Sequence, residues 1–114
     1  IKKLASEGPC VMVGRCADYA LSEYKDCFSV FVHADTDWRI NRLSQKHNKT
    51  AKEAKDMINK TDKSRSSYYN YYTNKKWGAA SSYNLCVDSS KLGIDGAAKA
   101  IIQAIEIFDS IKNK

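Results

Sequence analysis

The chain has 114 residues and a formal net charge of +6, with apolar residues at 43% and charged residues at 28%. That length suits one domain with a modest core, and the composition excludes disordered and fibrous classes. The positive excess favours anionic partners such as nucleotides, nucleic acid or a membrane surface without choosing among them. No apolar run approaches the roughly 20 residues that a bilayer span requires.

The N-terminal stretch IKKLASEGPC has no signal-peptide apolar region and begins with Ile, so a piece of a longer chain is expected. The four cysteines, Cys10, Cys16, Cys27 and Cys86, form no CxxC pair, and His33 and His47 stand apart from them. Zinc-site spacing is therefore absent. Two cysteines lie in or beside apolar runs, which reads as buried free thiols and a reducing, cytoplasmic setting.

In chain order, CVMVG (10–14) is a short strand candidate bounded by Pro9 and Gly14. RCADYALSEY (15–24) follows as a helix, with Ala17, Ala20 and Leu21 on one face. FSVFVHA (28–34) is a second strand whose consecutive Val30, Phe31 and Val32 predict cover on both faces. DTDWRINRLSQKH (35–47) begins a helix that Asp35 or Thr36 can cap. TAKE (50–53) opens another through the capping box of Thr50 and Glu53, and that helix can run into the tyrosine stretch. NLCVD (84–88) is a third strand. The segment 94–112 closes the chain as a helix with a stripe of Ala98, Ile101, Ile102, Ile105 and Phe108.

Alternating strands and helices define an α/β class with parallel strands, in which ligands bind beyond the carboxyl ends of the strands. That rule points at 14–18, 33–37 and 88–90. It also makes 60–83 an insertion near the same rim. Arg15, directly after Gly14, has a guanidinium suited to phosphate, or it is a plain surface arginine. Asp18 offers an acceptor one turn on, or a solvated helix residue. Lys60, Lys63, Arg65, Lys75 and Lys76 against Asp62 give the cation density that phosphoryl transfer needs, or a solvated basic face. Arg39 and Arg42 face the same choice on a helix that leaves the rim. Asp88 follows a strand as a lone carboxylate. RSSYYNYYTNKKWG (65–78) places tyrosines beside positive charge. They can pack, with hydroxyls kept wet, or stack on the bases of single-stranded nucleic acid. No GxxxxGK[ST] loop is present, and no Ser-His-Asp or Cys-His arrangement can be placed.

The stretches VMVGRCADYAL, TDKSRSSYYNYYTNKKWG and YNLCVDSSKLGID, in this order, resemble the cytidylate kinase-like family of P-loop kinases. The resemblance runs from Gly8 to the last helix, and the YYNYYT…KWG block is its most specific part. It implies a three-layer P-loop-kinase-like parallel sheet with helices on both faces, here missing the N-terminal strands. The chain 1–114 would be a single domain, the C-terminal part of such a kinase, with 60–83 as a lid-like insertion. The implied activity is transfer of the ATP γ-phosphoryl to a nucleoside monophosphate such as CMP.

By the same resemblance, Arg15 and Asp18 bind the acceptor, although Cys16 stands where the family's GRD motif has aspartate. Lys63 and Arg65 close on the transferring phosphoryl; Lys63 occupies a position where arginine is common. Arg65 and Asp88 contact the cofactor, ATP with Mg2+, which the missing P-loop would mainly hold. No protein metal ligand is expected. Some tyrosines and Trp77 would give the flap a small core of its own. The implied partners are small-molecule nucleotides and no membrane, with nucleic acid disfavoured. The alternatives are a non-catalytic module that binds nucleotide or single-stranded nucleic acid, and a degenerate relative that binds nucleotide without turnover.

Overall fold

The computed structural model of the chain describes residues 11–14, 17–21 and 26–112. Arg15, Cys10 and Cys16 lie outside them, as does much of the helix expected over 15–24. The described residues form an α/β unit with a two-stranded parallel sheet and three longer helices.

The first strand, β1, spans Val30–His33, and the second, β2, spans Leu85–Asp88. Both fall inside the expected segments 28–34 and 84–88. Val30 pairs with Leu85, and the register continues to His33 opposite Asp88. Ahead of the ladder, the Ser29 N–H donates to Asn84 Oδ1 at 2.8 Å, and the Asn84 N–H donates to the Ser29 carbonyl at 2.9 Å. These bonds pin the register where the strands begin. Val87 is buried at the centre of β2. Val32 is half-exposed, so the expected cover on both faces of β1 is incomplete.

The strand expected at 10–14 is not seen over its described residues. Residues 11–13 join no ladder, and Val11 and Val13 are almost fully exposed. A strand needs a neighbour to satisfy its N–H and C=O groups. Among the described residues, β1 and β2 pair only with each other, so none is offered. Gly14 follows at φ +73°, a left-handed conformation that a glycine adopts without steric cost. The Ala17 N–H closes on the Gly14 carbonyl at 3.2 Å, and the short helix α1 (Ala17–Ala20) begins there. Ala17 and Leu21 are buried, as their shared face predicts.

Helix α2 spans Thr36–His47 after Asp35 at the N-cap position, whose side chain makes no capping bond. The Asp35 N–H instead donates to Ser90 Oγ at 3.1 Å, which ties the start of α2 to the start of the last helix. Asn48, left-handed at φ 52°, ends α2. Helix α3 spans Ala51–Thr73 and carries the expected capping box in full: Thr50 Oγ1 accepts from the Glu53 N–H, and Glu53 accepts from the Thr50 N–H. Asn74 ends it in the same way as Asn48. Helices α2 and α3 pack on each other.

Helix α4 spans Ser89–Lys112 and packs on both strands, with Phe108 against Phe28 at 5.3 Å between ring centroids. It starts five residues earlier than expected, as one turn before a break at Gly93 (φ 74°). Its packed face is also displaced. Ala97 is buried, while Ala98 and Ile102 are exposed. The row Ala97, Ala100, Ile101, Ala104 and Phe108 faces inward at helical spacing. Small alanines let α4 approach the sheet closely, and the bulkier isoleucines that dominate the sequence pattern partly face outward. Among the described residues, no helix is long and apolar enough to cross a membrane.

Candidate functional site

Chain direction places the end of β1, the start of α2 and the middle of α3 around one cleft. Its volume is about 390 Å³, within the range of small-molecule sites. Phe31 to His33 of β1 and the following Ala34 line it, with Ser89 at the start of α4. Arg39 and Arg42 enter from α2, and Asp62 and Arg65 from α3. Trp38 and Trp77 add aromatic wall.

The arginines are organised differently. Arg39 makes a two-pronged pair with Asp62: Nη1 to Oδ2 at 2.7 Å and Nη2 to Oδ1 at 2.8 Å. Both side chains are partly buried, which makes this a stronger tie than a surface pair. The Asp62 hydrogen bonds hold the Arg39 guanidinium still more firmly protonated. Arg65 stands 4.0 Å from the same carboxylate and is largely exposed. The Arg42 guanidinium lies 5.6 Å from the centre of the Trp38 ring, a cation–π contact that limits its swing. Three cations, one of them held by a carboxylate, thus face a cleft with apolar walls. Such a site suits an anion carrying more than one charge.

The residues expected from sequence fall into separate places. Arg65 is on the cleft wall. Lys63 is exposed and not on that wall, because two residues of helix turn it away. Asp18 lies at α1, where its Oδ2 accepts a 2.6 Å bond from the Tyr69 hydroxyl. Burial and that carboxylate push the Tyr69 phenol well above its ordinary range. Asp88 is adjacent to the cleft but not on its wall. Its Oδ1 accepts from the Ser90 N–H at 2.9 Å, the Ser90 hydroxyl and the Lys91 N–H at 3.3 Å, so it caps the first turn of α4. The Ser90 hydroxyl and these N–H groups hold its carboxyl below the usual range. Arg15 lies outside the described residues.

The segment 60–83 comprises the later part of α3 and the connection to β2. Tyr69 is 5% exposed and stacks toward Tyr83, with 6.0 Å between ring centroids. Phe31 of β1 meets Tyr83 at 4.8 Å and Trp77 at 5.3 Å. The aromatic cluster is therefore shared with the sheet and is not a core belonging to the segment alone. Asn70 Oδ1 accepts from the Trp77 N–H at 2.8 Å and folds the chain back against α3.

Trp38 and the Arg39–Asp62 pair were not singled out by sequence reasoning. A usable signal existed in Arg39 and Arg42, three apart on the helix that follows a strand. The carboxylate partner of Arg39 is 23 residues away on another helix, which no local pattern shows.

The described residues are thus a small α/β unit whose two-strand parallel sheet carries an arginine-lined cleft at a strand's carboxyl end. The chain belongs to the cytidylate kinase-like family, whose model matches residues 1–91. It is also similar to a solved structure of an uncharacterized protein from Eubacterium ventriosum ATCC 27560, with TM-score 0.87 and 33% identity. That likeness covers 92% of this chain and 59% of the other, so the chain spans well under two thirds of its neighbour's length. No curated protein matches.

Proposed function

We propose that this chain carries the acceptor-binding and lid portion of a nucleotide kinase that transfers the γ-phosphoryl of ATP to a nucleoside monophosphate such as CMP or dCMP. The observation that carries the reading is the convergence of Arg39, Arg42 and Arg65 on one cleft at the end of β1. Family membership supports a kinase-like reaction class. An oxygen of the acceptor phosphate attacks the γ-phosphorus, the bond to the β-phosphate oxygen breaks, and ADP leaves. Little covalent work falls to the protein, so positioning and charge neutralisation dominate.

In this reading Arg65 meets the transferring phosphoryl from the cleft wall, and Lys63 reaches it only when 60–83 closes as a lid. Arg15 and Asp18 would bind the acceptor, as the family resemblance implies, with Asp18 oriented by Tyr69. Asp88 acts on the nucleotide indirectly by fixing the Ser89–Ser90 turn beside the cleft. The donor set of the cleft fits phosphates; among the described residues no three metal-ligating side chains converge. ATP with magnesium supplies the activated phosphoryl, and an upstream P-loop would hold most of it. In this reading β1 and β2 stay direct neighbours, and a further strand of a three-layer fold would lie between 11–13 and β1. A cytoplasmic location follows from a nucleotide substrate.

The test is a substrate screen on the full-length protein, following ADP release with CMP, dCMP and the other nucleoside monophosphates. Turnover on a nucleoside monophosphate is expected. Nucleotide binding with no ADP release from any acceptor would replace the kinase reading with that of a degenerate relative.

A further inference from the structure

The last two turns of α3 carry three tyrosines that the fold leaves outside. Tyr68, Tyr71 and Tyr72 are 51%, 78% and 58% exposed, in contrast to Tyr69 beside them. Their rings touch one another: Tyr68 and Tyr72 lie 4.6 Å apart at their centroids, and Tyr71 and Tyr72 lie 4.9 Å apart edge to face. The result is one continuous aromatic surface open to solvent. Arg65 precedes Tyr68 by three residues and Tyr72 by seven, so it shares their stripe of the helix. It is itself exposed and stands on the wall of the arginine cleft. From Arg65 to Tyr72 the helix runs about 10 Å. Positive charge and stacking surface therefore follow each other along one line.

We propose that this stripe binds single-stranded nucleic acid, with bases stacked on Tyr68, Tyr71 and Tyr72 and backbone phosphates drawn to Arg65 and the mouth of the cleft. Unpaired bases offer π faces to tyrosine whatever their sequence, and their phosphates complement the cations. The other occupants fit less well. A second copy of the chain brings the same +6 charge to the interface. A single nucleotide needs one ring and a concave pocket, whereas this platform has three rings and is open. A duplex hides its base faces. The tyrosine platform has no part in the kinase reading, whereas Arg65 and the mouth of the cleft are shared with it.

The experiment is fluorescence anisotropy of a labelled 12-nucleotide oligo(dT) and oligo(U) titrated with the full-length protein at several salt concentrations. Binding that weakens steeply with salt and exceeds that of a duplex of equal length is expected. The triple variant Tyr68→Leu, Tyr71→Leu, Tyr72→Leu should lose at least about tenfold in affinity, while the triple phenylalanine variant keeps it, because stacking uses the ring and not the hydroxyl. Arg65→Gln should lower the salt slope by about 1. Circular dichroism verifies that each variant is folded. No binding, equal affinity for duplex, or affinity unchanged in the folded leucine variant would overturn the proposal. So would a loss of CMP affinity in that variant as large as the loss for the oligonucleotide.

Discussion

The Tyr69 hydroxyl donates a 2.6 Å hydrogen bond to Asp18, joining two helices 51 residues apart in the chain. The ring is buried, so the bond is shielded on one side and directs the carboxylate on the other. Tyr69→Phe keeps the ring and removes the bond. It should destabilise the protein by about 1.5 kcal/mol, the size of a hydrogen bond to a charged group, read as a lower urea midpoint at unchanged slope. Alkaline pH tests the same contact. The phenol is held above its ordinary value of 10.0, first by burial and then by Asp18. The unfolded chain therefore loses this proton first. Stability from Tyr69 is complete below pH 10 and falls as pH rises above it. In ultraviolet titration Tyr69 should be among the last tyrosines to ionise, and Asp18→Asn should bring it earlier.

Asp88 works in the opposite direction. Its carboxyl is held below the ordinary 3.8, first by the Ser90 hydroxyl. A depressed folded value gives stability that is present above the unfolded value and lost as pH falls through the folded one. Asp88 should therefore titrate below pH 3.8 by carbon-detected NMR, and Ser90→Ala should move it back up. A titration unchanged by Ser90→Ala would show that the hydroxyl does not hold it.

The capping box at the start of α3 predicts a local cost. Thr50→Ala removes the acceptor for the Glu53 N–H and should lower stability by about 1 kcal/mol. Hydrogen exchange should rise first in residues 51–55, with Tyr69 little affected.

Much of this was legible in the sequence. The capping box, both paired strands and the start of α2 are local signals, written in adjacent residues. In the tyrosine stretch, helical spacing sets Tyr69 apart from Tyr68 and Tyr72 but does not say which side faces inward. Tyr69 faces inward and Tyr68, Tyr71 and Tyr72 face outward, and the sorting comes from Tyr83 and Phe31, which arrive from elsewhere in the chain. The packed face of α4 was misplaced by one residue because alanines at the contact carry a weaker hydropathy signal than the isoleucines beside them. The 10–14 stretch has strand composition, but composition cannot supply a partner. Within the site, the cation-rich character was visible, while the pairing of Arg39 with Asp62 rests on the packing of two helices.

That pairing gives a further prediction. Asp62 occupies the fork of Arg39, so a phosphate must compete with it for that guanidinium. Asp62→Asn should bind inorganic tripolyphosphate severalfold more tightly, measured by calorimetry at low salt, where such charges are least screened. Affinity that is equal or weaker would show that Asp62 organises the cleft without competing for its anion.

The central claim, that the arginine cleft neutralises a transferring phosphoryl group, is tested most directly by steady-state ADP release in the full-length protein with CMP and its Arg65→Met variant. Arg65 lies on the wall but is not part of the two-pronged pair, so its removal spares the packing of α2 on α3. The account predicts turnover by the parent and a fall in kcat of roughly 10³-fold in the variant, with a much smaller change in KM. Equal kcat in the two proteins would contradict it.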